Sequence, residues 1–183
     1  TRRYPLIELD LRRNDRVVDL VAERVDVALR VGPIRQAGLA ARRVSQVNIV
    51  TCAAPAYLQD HGEPRTPDEL REHRLVGLTS PSGAPPEWTF PPPYTPKRLG
   101  LKFSMLFNSA EAPIIAATAG LGIAHTGDLL VAEYVGRGEL KLILEDVVMP
   151  GPPISLVYPS AGHQLAKVRV FSDFAADLLL RWN

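Results

Sequence analysis

The chain has one cysteine, Cys52, among 183 residues, which excludes an intrachain disulfide. That usage fits a reducing, cytoplasmic setting better than a secreted, disulfide-held scaffold. Neither charge dominates, with 21 Lys and Arg against 20 Asp and Glu. A surface that grips nucleic acid by itself carries a basic excess, so these residues are not expected to contact DNA or RNA directly. No apolar run reaches the roughly 20 residues needed to cross a bilayer. Arg2 and Arg3 have no apolar stretch behind them that would make a signal peptide. The chain also lacks a starting Met and enters a strand-like stretch almost at once, so a fragment of a longer protein is expected. What is present is the balance of a folded globular chain, 46% hydrophobic and 22% charged, long enough to bury a core.

Catalytic groupings are scarce too. His61, His73, His125 and His163 are scattered, and none lies three to five residues from another His or Cys, the spacing a zinc site uses. No serine sits in a Gly-x-Ser-x-Gly elbow. Cys52 lies among apolar neighbours and is expected to be buried and inert. Gly120 and Gly122 follow a helical stretch and precede a strand, the reverse of a dinucleotide fingerprint, so a glycine helix cap is the better account. Asp15 and Asp19, flanked by Arg12, Arg13 and Arg16, suit an exposed helix face. No catalytic set, metal or cofactor is expected, and the chain is not expected to be an enzyme.

Periodicity predicts alternating strands and helices. Leu6 to Leu11 is a short apolar strand. Asn14 and Asp15 offer a cap to a helix carrying Val17, Val18, Leu20 and Val21, and Val25 to Leu29 is a second strand parallel to the first. Val47 to Cys52 is a third. Pro55 to Leu58 forms a short helix stopped by Gly62. Thr66, Pro67 and Glu69 mark another helix start. Leu75 to Leu78 is a strand. Seven prolines between Pro81 and Pro96 predict a rigid surface loop in which only Trp88 to Phe90 can pair. Leu99 to Phe107, Ile123-Ala124, Leu140 to Leu144 and Ile154 to Tyr158 read as strands. Ala110 to Ala119, Asp128 to Val135 and a final helix bearing Leu165, Val168, Phe171, Ala175, Leu178 and Leu179 on one face read as helices.

The class is therefore α/β with mostly parallel sheets flanked by helices. Breaks after Cys52 and near Pro150 predict two lobes, residues 1–52 with 153–183 and an inserted 53–152, with a ligand cleft in their seam. In open parallel sheets ligands bind beyond the carboxyl ends of the strands. Those ends are Arg30-Val31-Gly32, Asn108-Ser109, His125-Thr126 and Tyr158 to Ser160. Asn108 and Ser109 open a helix, where backbone N–H groups suit an anion as well as plain capping. Arg30 is the cation best placed to join them, with an ion pair to Asp26 or a surface role as its alternatives.

These residues also resemble a known family. Leu9-Asp10-Leu11, Asp15-Arg16, Val18 to Val21 and Val25 to Gly32 resemble the regulatory domain of LysR-type transcriptional regulators. So do Gly38-Leu39, Ala41 to Val44, Cys52 to Leu58, Trp88 to Phe90, Asn108, Glu111-Ala112, Ala119 to Ala124, Leu156 to Pro159 and Lys167 to Arg169, in the family's order. The resemblance implies a two-lobe, periplasmic-binding-protein-like (type II) fold. It implies a small effector, often an organic acid such as a carboxylate, held in the inter-lobe cleft by Arg30, Val31, Gly32, Asn108 and Ser109. Arg42, Arg43, His125 and Thr126 are secondary candidates. It further implies DNA contact only through an N-terminal winged helix-turn-helix domain outside this chain, a homodimer or homotetramer in the full-length protein, and no membrane partner. The family's first strand and helix of lobe one have no counterpart here, Pro113 stands for an aliphatic residue, and His125-Thr126-Gly127 replaces an aliphatic residue and a proline. A solute-binding receptor of a transport system with the same fold is the alternative.

Overall fold

The computed structural model describes residues 4–13, 18–34, 36–80, 83–162 and 165–180. The chain divides into two compact units, Thr1–Gln46 with Pro152–Asn183, and Val47–Gly151.

In the first unit, β1 (Ala28–Val31) pairs antiparallel with β7 (Met149–Pro159), Leu29 facing Leu156 and Arg30 facing Ser155. The strand expected over Leu6 to Leu11 is absent: residues 4–13 carry no strand, and Leu6 and Leu11 are exposed. Asn14 to Val17 lie outside the described residues, and the rest of the expected first helix is a turn at residues 20–24. The cause is Asp19. Its Oδ1 accepts the N–H groups of Val21 and Ala22, capping a new turn midway through the expected helix. Arg24, with φ 54°, then ends that turn, and the Val25 N–H returns to the Leu20 carbonyl. Leu20 is the buried anchor of the segment. The second strand starts at Ala28 rather than Val25, and it pairs with β7 instead of running parallel to an earlier strand.

The final helix, α5 (Ala166–Leu180), forms as expected, and its inward face is the expected one rotated slightly, with Val168 buried and Phe171, Ala175 and Leu179 half-buried. Its buried line is Val168, Ser172 and Ala176, one residue per turn, while Leu165 and Leu178 are exposed. The ion pairs Lys167–Asp26 (2.7 Å) and Arg42–Asp173 (2.6 Å) involve residues on the same helix.

The second unit holds α1 (Pro55–His61), a 3-10 turn at Pro67–Glu72, β3 (Leu75–Leu78), α2 (Pro96–Leu99), β4 (Met105–Phe107), α3 (Ala112–Thr118), β5 (Ile123–Gly127), α4 (Asp128–Gly136) and β6 (Lys141–Ile143). The third predicted strand belongs to a longer one, β2 (Leu39–Ala53), and Pro150 to Pro153 do not break β7. The strand expected from Leu99 is confined to Met105–Phe107. Parallel pairing occurs where helices connect neighbours: β3 lies between β4 and β5, parallel to both. β2 pairs antiparallel with β5 and with β6, so the described pairing is mixed within the α/β class.

One face of these strands packs Val50, Cys52, Val76, Ile114, Ala117, Ala124, Val131 and Leu140 beneath α3 and α4. The other face collects Ala53, Tyr57, Leu70, Leu75, Leu99, Ile123 and Ile143. Trp88 and Phe90 join this second cluster at 4% and 5% exposure, so the proline-rich stretch, otherwise largely exposed as expected of a surface loop, is pinned to the core by these two aromatics. Among the described residues of 83–95 it pairs with no strand. Its prolines remove the donors a ladder needs, and the segment is held by its aromatic side chains instead.

Candidate functional site

The parallel order β4-β3-β5 brings three strand ends to one edge of the second unit. β3 runs into Thr79, β4 into Asn108 and Ser109, and β5 into Gly127 and Asp128. Thr79 closes the end of β4: its N–H (2.7 Å) and its hydroxyl (3.0 Å) both donate to the Phe107 carbonyl. Asn108 beyond it is exposed and Ser109 half-buried. Two helices start at this edge. At α3 the Ala112 N–H donates to the Ser109 carbonyl, and the Ile114 and Ile115 N–H groups donate to the Glu111 carbonyl. Pro113 is buried in the first turn and has no N–H to offer. At α4 the Leu129 N–H donates to Asp128 Oδ1 (2.8 Å), and Asn48 Nδ2 donates to Asp128 Oδ2 (2.8 Å).

His125 and Thr126, expected beyond a strand, lie inside β5 opposite Thr51 and Val50. Thr51 Oγ1 is 2.9 Å from His125 Nδ1. The imidazole stacks on Trp88, with centroids 5.1 Å apart, and tilts against Phe90 at 4.7 Å. Its Nε2 is buried without a partner of full hydrogen-bond geometry; the Thr89 backbone is its polar neighbour. Burial pushes the pKa of His125 down to about 4, only partly opposed by that backbone group, so the ring is neutral at physiological pH. His125 therefore anchors the proline-rich segment to the sheet. Sequence reasoning missed its partners Thr51, Trp88 and Phe90. The signal for Thr51 was alternation along β2, and for the aromatics the i, i+2 spacing of Trp88 and Phe90.

In the first unit, Arg30 is committed locally. Its guanidinium donates to Gln36 Oε1 and to the Val18 carbonyl, both at 2.5 Å. The alternative partner Asp26 instead pairs with Lys167. Val31 is exposed at the end of β1, and Gly32 (φ 105°) sends its N–H to the Pro153 carbonyl at 2.9 Å. That φ is the reason a glycine stands there. Arg42 reaches Asp173 on α5, and Arg43 reaches Gln46. The predicted residues thus fall into two groups, one in each unit.

Cys52 is fully buried, and desolvation pushes its thiol up to about 12. Among the described residues no three His, Cys, Asp or Glu side chains gather as metal ligands, and no helix is long and apolar enough to cross a membrane; His163 lies outside those residues. The Gly120 turn is a helix cap, with the Gly120 and Leu121 N–H groups returning to the Ala117 and Ala116 carbonyls.

Comparison with known proteins gives a consistent set of relatives. The family model described as LysR substrate binding domain matches residues 1–179. The HTH-type transcriptional regulator CrgA of Neisseria meningitidis serogroup C is 32% identical over 97% of this chain and 59% of its own length. The Escherichia coli HTH-type transcriptional regulator YhjC is 31% identical over 96% of this chain and 59% of its length. The chain thus spans about three fifths of these relatives. Among solved structures, the CrgA regulatory domain superposes with a TM-score of 0.87 at 29% identity, covering 97% of this chain and 87% of that one.

Proposed function

Because this chain belongs to the family of LysR substrate-binding domains, we propose that it is the effector-sensing part of a LysR-type transcriptional regulator, acting in the cytoplasm and without enzymatic activity. The observation that carries this is the agreement of a near-complete family match with a fold in which polar groups cluster at parallel-strand ends. Relatives described as HTH-type transcriptional regulators support this reading over a transport receptor.

A small molecule is the proposed signal. Asn108 and Ser109 in the second unit and Arg30, Val31 and Gly32 in the first are its proposed contacts, with Arg42, Arg43, His125 and Thr126 secondary. Binding shifts the population between states only by its difference in affinity for them. DNA is then contacted by an N-terminal helix-turn-helix domain of the full-length homo-oligomer, and coupling makes effector and DNA affinities reciprocal. The test is to titrate the full-length protein with small metabolites while following thermal stability and DNA retardation. A true effector raises the melting temperature with concentration and changes DNA affinity. A compound panel that moves neither measurement defeats the sensing reading.

A further inference from the structure

The second unit is acidic, with eight Lys and Arg against twelve Asp and Glu over residues 47–151. Its described cations are also segregated. Arg71 belongs to the Pro67–Glu72 turn leading into β3, where its Nε donates to the Leu99 carbonyl of α2, and Arg65 comes just before that turn. Arg74 immediately precedes β3, where its carbonyl accepts the N–H of Ile123, the first residue of β5. Lys102 precedes β4. Arg137 caps the far end of α4, and Lys141 opens β6 opposite Ala53, bound to Glu63. The described cations of this unit therefore sit on segments that enter β3, β4 or β6 or end α4, not on those that leave β3, β4 and β5. The carboxyl ends carry Thr79, Asn108, Ser109, Thr126, Asp128 and neighbouring Asn48, with no described cation.

Nor do the two helix starts at that edge offer an anion site. The Ala112, Ile114 and Ile115 N–H groups at α3 are taken by backbone carbonyls, and Pro113 has none. At α4 the positive end of the helix is met by the protein's own carboxylate, Asp128. Bringing a second carboxylate beside Asp128 adds like-charge repulsion and desolvation, with no described cation of this unit beside it to offset either. An ammonium or hydroxyl meets the opposite situation at Asp128, whose carboxylate only accepts hydrogen bonds, whereas the Asn108 amide and the Ser109 and Thr126 hydroxyls both donate and accept and do not discriminate.

We propose that the effector group received at the carboxyl ends of β3, β4 and β5 is a hydrogen-bond donor, a hydroxyl or an ammonium, and not a carboxylate. This rests on that edge being part of the effector site. The test titrates the full-length protein with matched probes, primary amines and polyols against mono- and dicarboxylates of similar size, following thermal stability. Amines or polyols are expected to stabilise it and their carboxylate counterparts are not. Asp128→Asn should weaken the best amine about tenfold, and Asn108→Ala should weaken the best amine or polyol, providing a readout if the Asp128 variant folds poorly. Stabilisation by carboxylates that Asp128→Asn strengthens overturns the inference while leaving the edge as the site. Binding insensitive to both variants, yet lost in Arg30→Ala, overturns the edge itself. No response to any probe removes the sensing reading, and the inference with it.

Discussion

Thr51 and His125 face each other across the antiparallel β2–β5 pair, with hydroxyl and imidazole 2.9 Å apart beneath the rings of Trp88 and Phe90. A polar pair on a buried sheet face links the fold of the second unit to pH.

The folded pKa of His125 is near 4 and its ordinary value is 6.5, so between those values the unfolded chain binds more protons than the folded one. Stability from this group is complete above pH 6.5 and declines as pH falls toward 4, by at most about 3 kcal/mol. Urea unfolding across that range measures it. His73, also held down by desolvation and by nearby His61, adds a slope of the same sign. The His125→Phe variant isolates the larger contribution. An unchanged pH slope in that variant would mean His125 is not the group responsible.

Trp88→Ala should destabilise the second unit by about 3–5 kcal/mol, the cost of emptying a large aromatic site. Trp88 packs edge-on to Phe103 and stacks on His125, so local amide exchange in residues 83–95 should rise as well. An exposed strap would show neither change.

Gly122→Ala tests a backbone contact. A Cβ at this position would stand 2.5 Å from the Arg74 carbonyl oxygen, which already accepts the Ile123 N–H. Because the obstructing atom is backbone, relief requires moving β3 against β5, and a loss of about 1–3 kcal/mol is expected. Gly136, with open space around it, is the control: Gly136→Ala should not destabilise.

Ser172→Ala should raise stability by about 1 kcal/mol. The Ser172 hydroxyl is buried on the inner line of α5 and has no hydrogen-bond partner. Thermal melts of the two proteins decide it, and a lower melting temperature would show that the hydroxyl is satisfied in solution.

Sequence by itself determined what depends on local rules. Gly120 had to turn a helix into a strand, Pro55 had to open a helix and Pro67 a 3-10 turn, and the cadence of β3, α3, β5 and α4 followed from apolar periodicity. The ordered motifs from Val25-Asp26-Val27 to Lys167-Val168-Arg169 were enough to identify the family. Tertiary structure decided whatever needs a partner distant in the chain. Whether Leu6 to Leu11 pairs depends on a neighbouring strand edge, which no periodicity reveals. Trp88 and Phe90 went inward because a buried sheet face with His125 on it awaited them, although the surrounding prolines are those of a surface loop. The placement of Arg30 on Gln36 and Val18, and of Asp128 at the start of α4 beside Asn48, was equally invisible. Those contacts turned a list of candidate polar residues into a charge-sorted edge, because an electrostatic preference depends on distances between groups that sequence spacing does not contain.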